Sequence, residues 1–302
     1  MLSADDRTGE GTGSRTGEGE RGRPGGLALR IDLNCDMGEG MATDADIFPF
    51  ISSANIACGA HAGDGETMRV TVEQALRHGV AIGAHPSYAD RVHFGRIDVL
   101  ESASGKGDRS LGFAALPDLL YEQLHRLQTI CDQYGVRLHH VKPHGALYNR
   151  AAKDAEVSAL ICRAVAAFDP SLLLYGLSGS EMERQAGVCG LSFVSEVFAD
   201  RGYRSDGSLV PRSEAHALIE DPEEAIAQVL KMVREGKVRV AGMGEIDGVM
   251  KGGVQTTGAV LEVPLRAETV CIHGDGVHAV EFARIIHDVL LTNGIDIKRP
   301  YL

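Results

Sequence analysis

From Leu27 onward, short apolar runs with a period of two alternate with longer stretches of helical period, and nothing else in the chain narrows the fold so far. Such alternation means parallel strands joined by crossover helices, an α/β architecture. In the first run Leu27, Leu29, Ile31 and Leu33 share one face, with Ala28, Arg30, Asp32 and Asn34 on the other. The pattern predicts seven strands, at 28–34, 52–57, 80–85, 136–142, 171–177, 191–198 and 268–273. It predicts helices at 64–78, 116–134, 154–168, 222–235 and 277–292. Asp64 is placed to cap the first helix, and Gly79, Gly135, Gly236 and Gly294 each follow a last helical turn.

Polar residues terminate nearly every strand. Strand one ends in Asp32-Leu-Asn34-Cys-Asp36-Met-Gly-Glu39, strand two in Asn55 to Asp64 with His61 between them, and strand three in His85-Pro-Ser87. Strand four gives Lys142 and His144, strand six Glu196 and Asp200, and strand seven His273 and Asp275; strand five offers only Ser178 and Ser180. In a barrel of parallel strands these carboxyl ends meet on one face, where such barrels build their active sites. Each residue alone has a plainer reading: Asp64 serves equally well as a helix cap, and a lone histidine is more often structural. Asp32 and Asn34 are harder to dismiss, because polar groups inside a strand must find partners. His78, His125 and His287 fall on helix patterns and read as surface or packing residues.

The densest stretch is His140-Val-Lys142-Pro143-His144-Gly-Ala-Leu-Tyr-Asn149. Its spacing imitates a zinc-binding His-x-x-x-His helix, but Pro143 forbids a helix interior and Lys142 stands where that motif carries glutamate. A metalloprotease is therefore excluded. Pro143 instead ends a strand, leaving Lys142 and His144 at its carboxyl end. A buried lysine needs a carboxylate or a substrate anion to pair with.

The formal net charge of −12 argues against nucleic acid or an anionic membrane as the main partner. Six cysteines lie far apart with no Cys-x-x-Cys pair, and no secretory or membrane-spanning stretch is evident, which predicts a cytoplasmic protein with reduced thiols. Residues 1–26 hold eight glycines and the sequence Arg-Thr-Gly-Glu-Gly twice, and read as a disordered tail ahead of one folded domain, 27–302. Segments 101–112 and 242–258 read as surface insertions, the second a candidate hairpin. Neither Gly105-Lys-Gly107 nor any other segment has the spacing of a phosphate-binding or dinucleotide-binding loop.

With these motifs in view, the chain resembles the LamB/YcsF family over nearly its full length. The likeness runs through Asp32–Glu39, Ser53–Asp64, Gly83–Ser87, Phe94-Gly-Arg96, His140–Asn149, Glu196–Tyr203, Asp206–Ser213 and Cys271–Asp275. Departures are Ala60, Ala89, the insertion near 101–112 and the amino-terminal tail, which touch loop shape more than the polar set. The resemblance implies a distorted seven-stranded parallel (β/α) barrel of glycoside hydrolase/deacetylase type. It implies the A-type subunit of an ATP-dependent 5-oxoprolinase, opening 5-oxo-L-proline to L-glutamate with ATP and Mg2+, and partner subunits of B and C type. On this reading Asp32, Asn34, Asp36, His61, His85, Lys142, His144 and Glu196 are the catalytic candidates. Asn55, Asp200, Arg201, Arg212, His273 and Asp275 are the substrate-binding candidates, with Lys142 and Arg201 or Arg212 holding anions. Two other readings stay open: a stand-alone metal-dependent hydrolase or deacetylase with Asp36, His61 and His85 as candidate ligands, and a non-catalytic subunit that presents a ligand to its partners.

Overall fold

The computed structural model describes residues 29–102, 109–242, 261–274 and 278–301. The expected tail, residues 103–108 of the first expected insertion, nearly all of the second and Asp275 lie outside the described residues. Among the described residues there are ten strands: β1 (Leu29–Met37), β2 (Ser53–Ala57), β3 (Ala81–His85), β4 (His140–Val141), β5 (Leu173–Leu177), β6 (Phe193–Phe198), β7 (Lys237–Arg239), β8 (Glu262–Pro264), β9 (Thr269–Ile272) and β10 (Ile295–Ile297). β1 to β6 pair in parallel in chain order, and β9 pairs with both β6 and β1, which closes a seven-stranded barrel. All seven predicted strands are its staves.

The closure is lopsided. β1 uses Leu29–Ile31 to pair with β10 and Asp32–Cys35 to pair with β9, so one edge of one strand serves two partners in succession. This is the distortion of the barrel. β7 and β8 form an antiparallel pair outside it and flank the glycine-rich 242–258 segment, so the expected hairpin has its strands just beyond the segment's ends.

The crossover helices are α1 (Asp44–Ile47), α2 (Gly65–His78), α3 (Val99–Ser102), α4 (Arg109–Gln133), α5 (Gly145–Ala151), α6 (Ala155–Phe168), α7 (Glu181–Cys189), α8 (Pro222–Glu235) and α9 (Ala279–Thr292). Asp64 caps α2, its carboxylate accepting the Thr67 N–H at 2.8 Å, so the cap reading of that residue holds. Gly79, Gly135, Gly236 and Gly294 adopt the left-handed conformation expected after a last turn. Two expectations needed correction. Residues 101–112 are not wholly loop, since α3 ends and α4 begins inside them. The fourth strand is two residues long rather than seven, because Leu138 N–H turns to the Gln128 side chain and Val136 N–H to the Cys131 carbonyl. Pro143 ends this strand as expected.

Alternate residues of each stave face opposite sides. Leu33, Cys35 and Met37 join the apolar layer beneath the helices, while Leu173, Tyr175 and Val194 form a separate small cluster in the barrel interior. The rest of the interior is polar. Asp32 accepts hydrogen bonds from Ser52, Ser53 and Thr269, and Ser53 in turn meets the Tyr175 hydroxyl across the barrel at 3.2 Å. Each buried acceptor of this lower tier is matched by a hydroxyl, which is what makes a carboxylate tolerable there.

Candidate active site

Above the Asp32 tier, Asn55 links the middle of the barrel. Its amide donates to Asn34 Oδ1 and Asp36 Oδ1 (2.8 and 2.9 Å), and its carbonyl oxygen lies 2.8 Å from His140 Nε2. The His140 ring crosses the interior directly over Gly83, stacked on Tyr175 at 4.1 Å. A Cβ on residue 83 would stand 2.1 Å from His140 Nε2, so only glycine fits beneath that ring.

Lys142 occupies the centre. Its ammonium reaches Glu196 Oε1 at 2.8 Å, Asp36 Oδ1 at 3.0 Å, Asn34 Oδ1 at 3.1 Å and Cys271 Sγ at 3.1 Å. Burial pushes the lysine toward its neutral form, but its contacts with Asp36, Cys271 and Glu196 outweigh it and hold the ammonium well above its ordinary pKa. The same pairing works in reverse at Asp36: burial favours the acid, yet His85 and Lys142 keep the carboxyl well below the usual carboxylate range. The expected carboxylate partner of Lys142 is thus found twice over.

At the mouth four side chains turn toward one another: Glu39, His61, His85 and His144, each offering a nitrogen or oxygen within 4.8 Å of the others. His85 Nδ1 donates to the Lys142 carbonyl (2.7 Å), and His144 Nε2 to the Phe94 carbonyl (3.0 Å). The inner nitrogens, His85 Nε2 and His144 Nδ1, are 2.9 Å apart. His61 stacks on His144 with centroids 3.8 Å apart and lies 3.0 Å from Glu39. Burial and the neighbouring His85 lower the pKa of both His61 and His144 to about 3, so neither carries charge near neutrality. Burial also pushes His85 down, but Asp36 and Glu39 reverse the sign and raise it. Burial and Asp36 raise Glu39 above the ordinary glutamate value. The mouth therefore holds an ionised aspartate beside a glutamate poised closer to neutrality.

Around this centre opens a cleft of about 670 Å3 lined by Asp36, Glu39, His85, Lys142, His144 and Arg212 among others. Of the sequence-predicted residues, Asp36, His85, Lys142, His144, Arg201, Arg212 and His273 line it; Asp32, Asn34, Asn55, Glu196 and Asp200 do not, and His61 joins the mouth cluster without lining the cleft. Asp32 sits lowest, bonded to hydroxyls, and reaches the site through Thr269 and Asn34 and, by way of Ser53 and Tyr175, through His140. Arg201 is buried and already donates to the Ala217 and Val210 carbonyls, so it braces the 200–218 loop instead of offering a free anion grip. Arg212 is exposed at the rim: His273 Nε2 lies 3.1 Å from it, and Asp200 holds the other nitrogen of that ring at 2.8 Å. For a metal, Glu39 and His144 join His61 and His85 in one cluster, while Asp36 gives Oδ1 to Lys142 and Asn55 and only Oδ2 to His85, at 3.3 Å.

Glu39 is the chief residue that period-two reading passes over. Asp32, Asn34 and Asp36 face inward on even numbers, which would turn Glu39 away; Gly38, with φ +71°, breaks the alternation and brings Glu39 back over the mouth. Phe94 is another, with φ +57° in a non-glycine residue and its carbonyl on His144.

A profile of the LamB/YcsF family matches residues 31–301. The chain belongs to the LamB/YcsF family. Among solved structures it is similar to a lactam utilization protein from Thermus thermophilus, with 38% identity over 89% of this chain and 99% of that one and a TM-score of 0.75. It shares a fold, at 12% identity and a TM-score of 0.50, with a candidate cellobiose-phosphate cleavage protein from Enterococcus faecalis, over 90% of this chain and 97% of that one. The LamB/YcsF barrel here is the seven-stranded parallel barrel with outer helices that the sequence implied. Among the described residues no helix is long and apolar enough to cross a membrane.

Proposed function

We propose that this chain is a lactam hydrolase subunit, and specifically the subunit of an ATP-dependent 5-oxoprolinase that receives 5-oxo-L-proline and releases L-glutamate with partner subunits of B and C type. The reading is carried by its 38% identity, over 99% of the other chain, with a protein of lactam utilization. The cleft supports it with the groups that amide hydrolysis needs. Glu39 is the general base on water: burial and Asp36 raise its pKa, which makes it a stronger base than an exposed glutamate, and neutral His144 beside it at 3.2 Å passes hydrogen bonds without adding charge. Asp36 remains ionised and fixes the His85 ring, while Lys142 bridges Asp36 and Glu196 and offsets their charge. Arg212, held by the Asp200–His273 pair, meets the substrate carboxylate at the rim.

A five-membered lactam is a resonance-stabilised amide, and its opened form recloses readily because amine and carboxylate stay close. Coupling to ATP supplies the drive: a phosphoryl group on the amide oxygen activates the carbon to water, the ring C–N bond breaks with the nitrogen leaving as the protonated amine, and the resulting acyl phosphate is hydrolysed to carboxylate and phosphate. Mg2+ accompanies the nucleotide. The test is glutamate release from 5-oxo-L-proline and ATP by the co-purified three-subunit complex. Release that needs this chain and both partners supports the proposal; stoichiometric ATP-coupled release by this chain alone removes the partner dependence, and no release from the full complex removes the substrate.

A further inference from the structure

The cluster at the mouth poses a hydrogen-bonding problem. A carbonyl oxygen only accepts, so His85 Nδ1 on the Lys142 carbonyl and His144 Nε2 on the Phe94 carbonyl must both carry hydrogen. In the neutral rings their inner nitrogens then present lone pairs to each other across 2.9 Å. Glu39 Oε1 adds an acceptor 3.2 Å from one of them and 3.0 Å from His61 Nε2. His61 and His85 are almost wholly buried, and His61 Nδ1 has no hydrogen-bond partner among the described residues. Converging acceptors in a buried place are unfavourable unless something positive lies between them.

The backbone is strained to hold this arrangement. Phe94 takes a left-handed conformation that costs a non-glycine residue energy, and its carbonyl is the one that fixes the His144 tautomer. Imidazoles whose far N–H is held by a backbone carbonyl, and whose near nitrogen points at a shared centre, are arranged as metal-binding histidines are. Asp36 stands beside the cluster but is already engaged by Lys142 and Asn55.

We propose that Glu39, His61, His85 and His144 form a binding site for one divalent transition-metal ion of the zinc class. Three imidazole nitrogens and one carboxylate oxygen make the donor set that suits Zn2+, and Co2+ is its spectroscopic substitute. Such an ion would supply a bound water of lowered pKa at the floor of the cleft. The site does not rest on the lactam reading; with an ion bound, Glu39 and His144 would be ligands and the ion's water would replace Glu39 as the source of the nucleophile, and the test reads metal, not turnover.

The experiment uses the full chain, stripped with a chelator, then dialysed against Zn2+ and analysed for metal, and separately titrated with Co2+. The expected results are one tightly held Zn2+ per chain and an intense visible Co2+ absorption of a four- or five-coordinate, nitrogen-rich site. His61→Gln and His144→Gln, checked for folding by circular dichroism, should each weaken Zn2+ binding by at least about 100-fold, more than loss of an outer partner costs. His125→Gln, on the exposed face of α4, should leave it unchanged. A weak six-coordinate Co2+ spectrum, absence of retained Zn2+, or unchanged binding in folded His61→Gln and His144→Gln overturns the proposal and leaves a shared proton as the occupant. Should both variants fail to fold, the wild-type Co2+ spectrum decides.

Discussion

The Lys142 ammonium and the Glu196 carboxylate lie 2.8 Å apart in the closed centre of the barrel, one 2% and the other 0% exposed. Glu196 is sealed from water and Lys142, at the edge of the cleft, nearly so, and both charges lean on their protein partners, with Asp36 the second partner of Lys142. Breaking such a pair by removing one partner typically costs about 3–5 kcal/mol, because the survivor is left buried and unmatched.

Lys142→Met keeps the side-chain stem but strands Glu196 and Asp36. The expected outcome is a loss of about 3 kcal/mol in denaturant unfolding. Adding Glu196→Gln to Lys142→Met should recover a good part of it. A single variant within about 0.5 kcal/mol of wild type, the range of ordinary surface substitutions, would show that the pair contributes little.

Gly83→Ala drives a methyl into the space of the His140 ring, which has no room to withdraw with Tyr175 stacked on its other face. Overpacking of this kind costs about 1–3 kcal/mol, and the His140–Asn55 contact should be lost with it. The check is a double variant: His140→Ala placed on Gly83→Ala should restore part of the melting temperature. If it lowers stability by the full sum of both, the clash is not the cause.

Asp44 tests the charge balance at the rim. Burial raises its carboxyl to about 6 despite the hydrogen bond from Gly38 N–H at 2.8 Å. The unfolded chain releases that proton near 3.8, so between these values the folded state binds more protons than the unfolded one, and stability falls as pH rises through the window. Asp44→Asn should therefore be more stable than wild type at a pH of about 7.5, by on the order of 1 kcal/mol given its partial exposure, and should lose that advantage below the window. Melting temperatures across this range that show a constant difference would contradict the assignment.

Arg212 should govern substrate capture. Arg212→Ala is expected to raise KM about 10-fold to 100-fold, the worth of a hydrogen bond to a charged group of about 1.5–3 kcal/mol, with a smaller effect on kcat. Arg212→Lys should not restore it, since a lysine cannot reproduce the planar fork. His273→Gln should give an intermediate KM, because it releases the guanidinium without removing it. Unchanged KM in steady-state assays of the Arg212→Ala complex would take Arg212 out of the substrate site.

The barrel was legible because its staves are short apolar-rich runs set between stretches of helical period, from Ile31–Met37 to Thr269–Ile272. The convergence of strand-end polar residues was legible for the same reason: parallel strands put their carboxyl ends on one side. What could not be read is where local rules are broken. Gly38 reverses the parity that would have hidden Glu39, and Phe94 holds a conformation that its side chain disfavours. The short fourth strand is lost to side-chain competition from Gln128, 10 residues upstream of Leu138, which no periodicity encodes. Asp32 was rightly expected to need partners, whereas Arg201 was expected to hold a substrate anion and instead donates to backbone carbonyls; whether a polar group faces a cleft or a lattice of hydroxyls and carbonyls depends on depth along the strand, and sequence pattern carries only side.

β9 fits between β6 and β1, and it brings Thr269 to Asp32 and Cys271 to Lys142. During synthesis it is the last stave to leave the ribosome, and it carries the last of these polar partners. Six strands must therefore wait as an open sheet, with β1 and β6 presenting unpaired edges and a buried carboxylate short of a donor. Such edges invite pairing with other chains, and contacts between residues so distant in sequence form slowly. A nascent chain halted before Thr269 should accordingly be protease-sensitive and dependent on chaperones, and resistance should arrive abruptly once β9 is free of the exit tunnel.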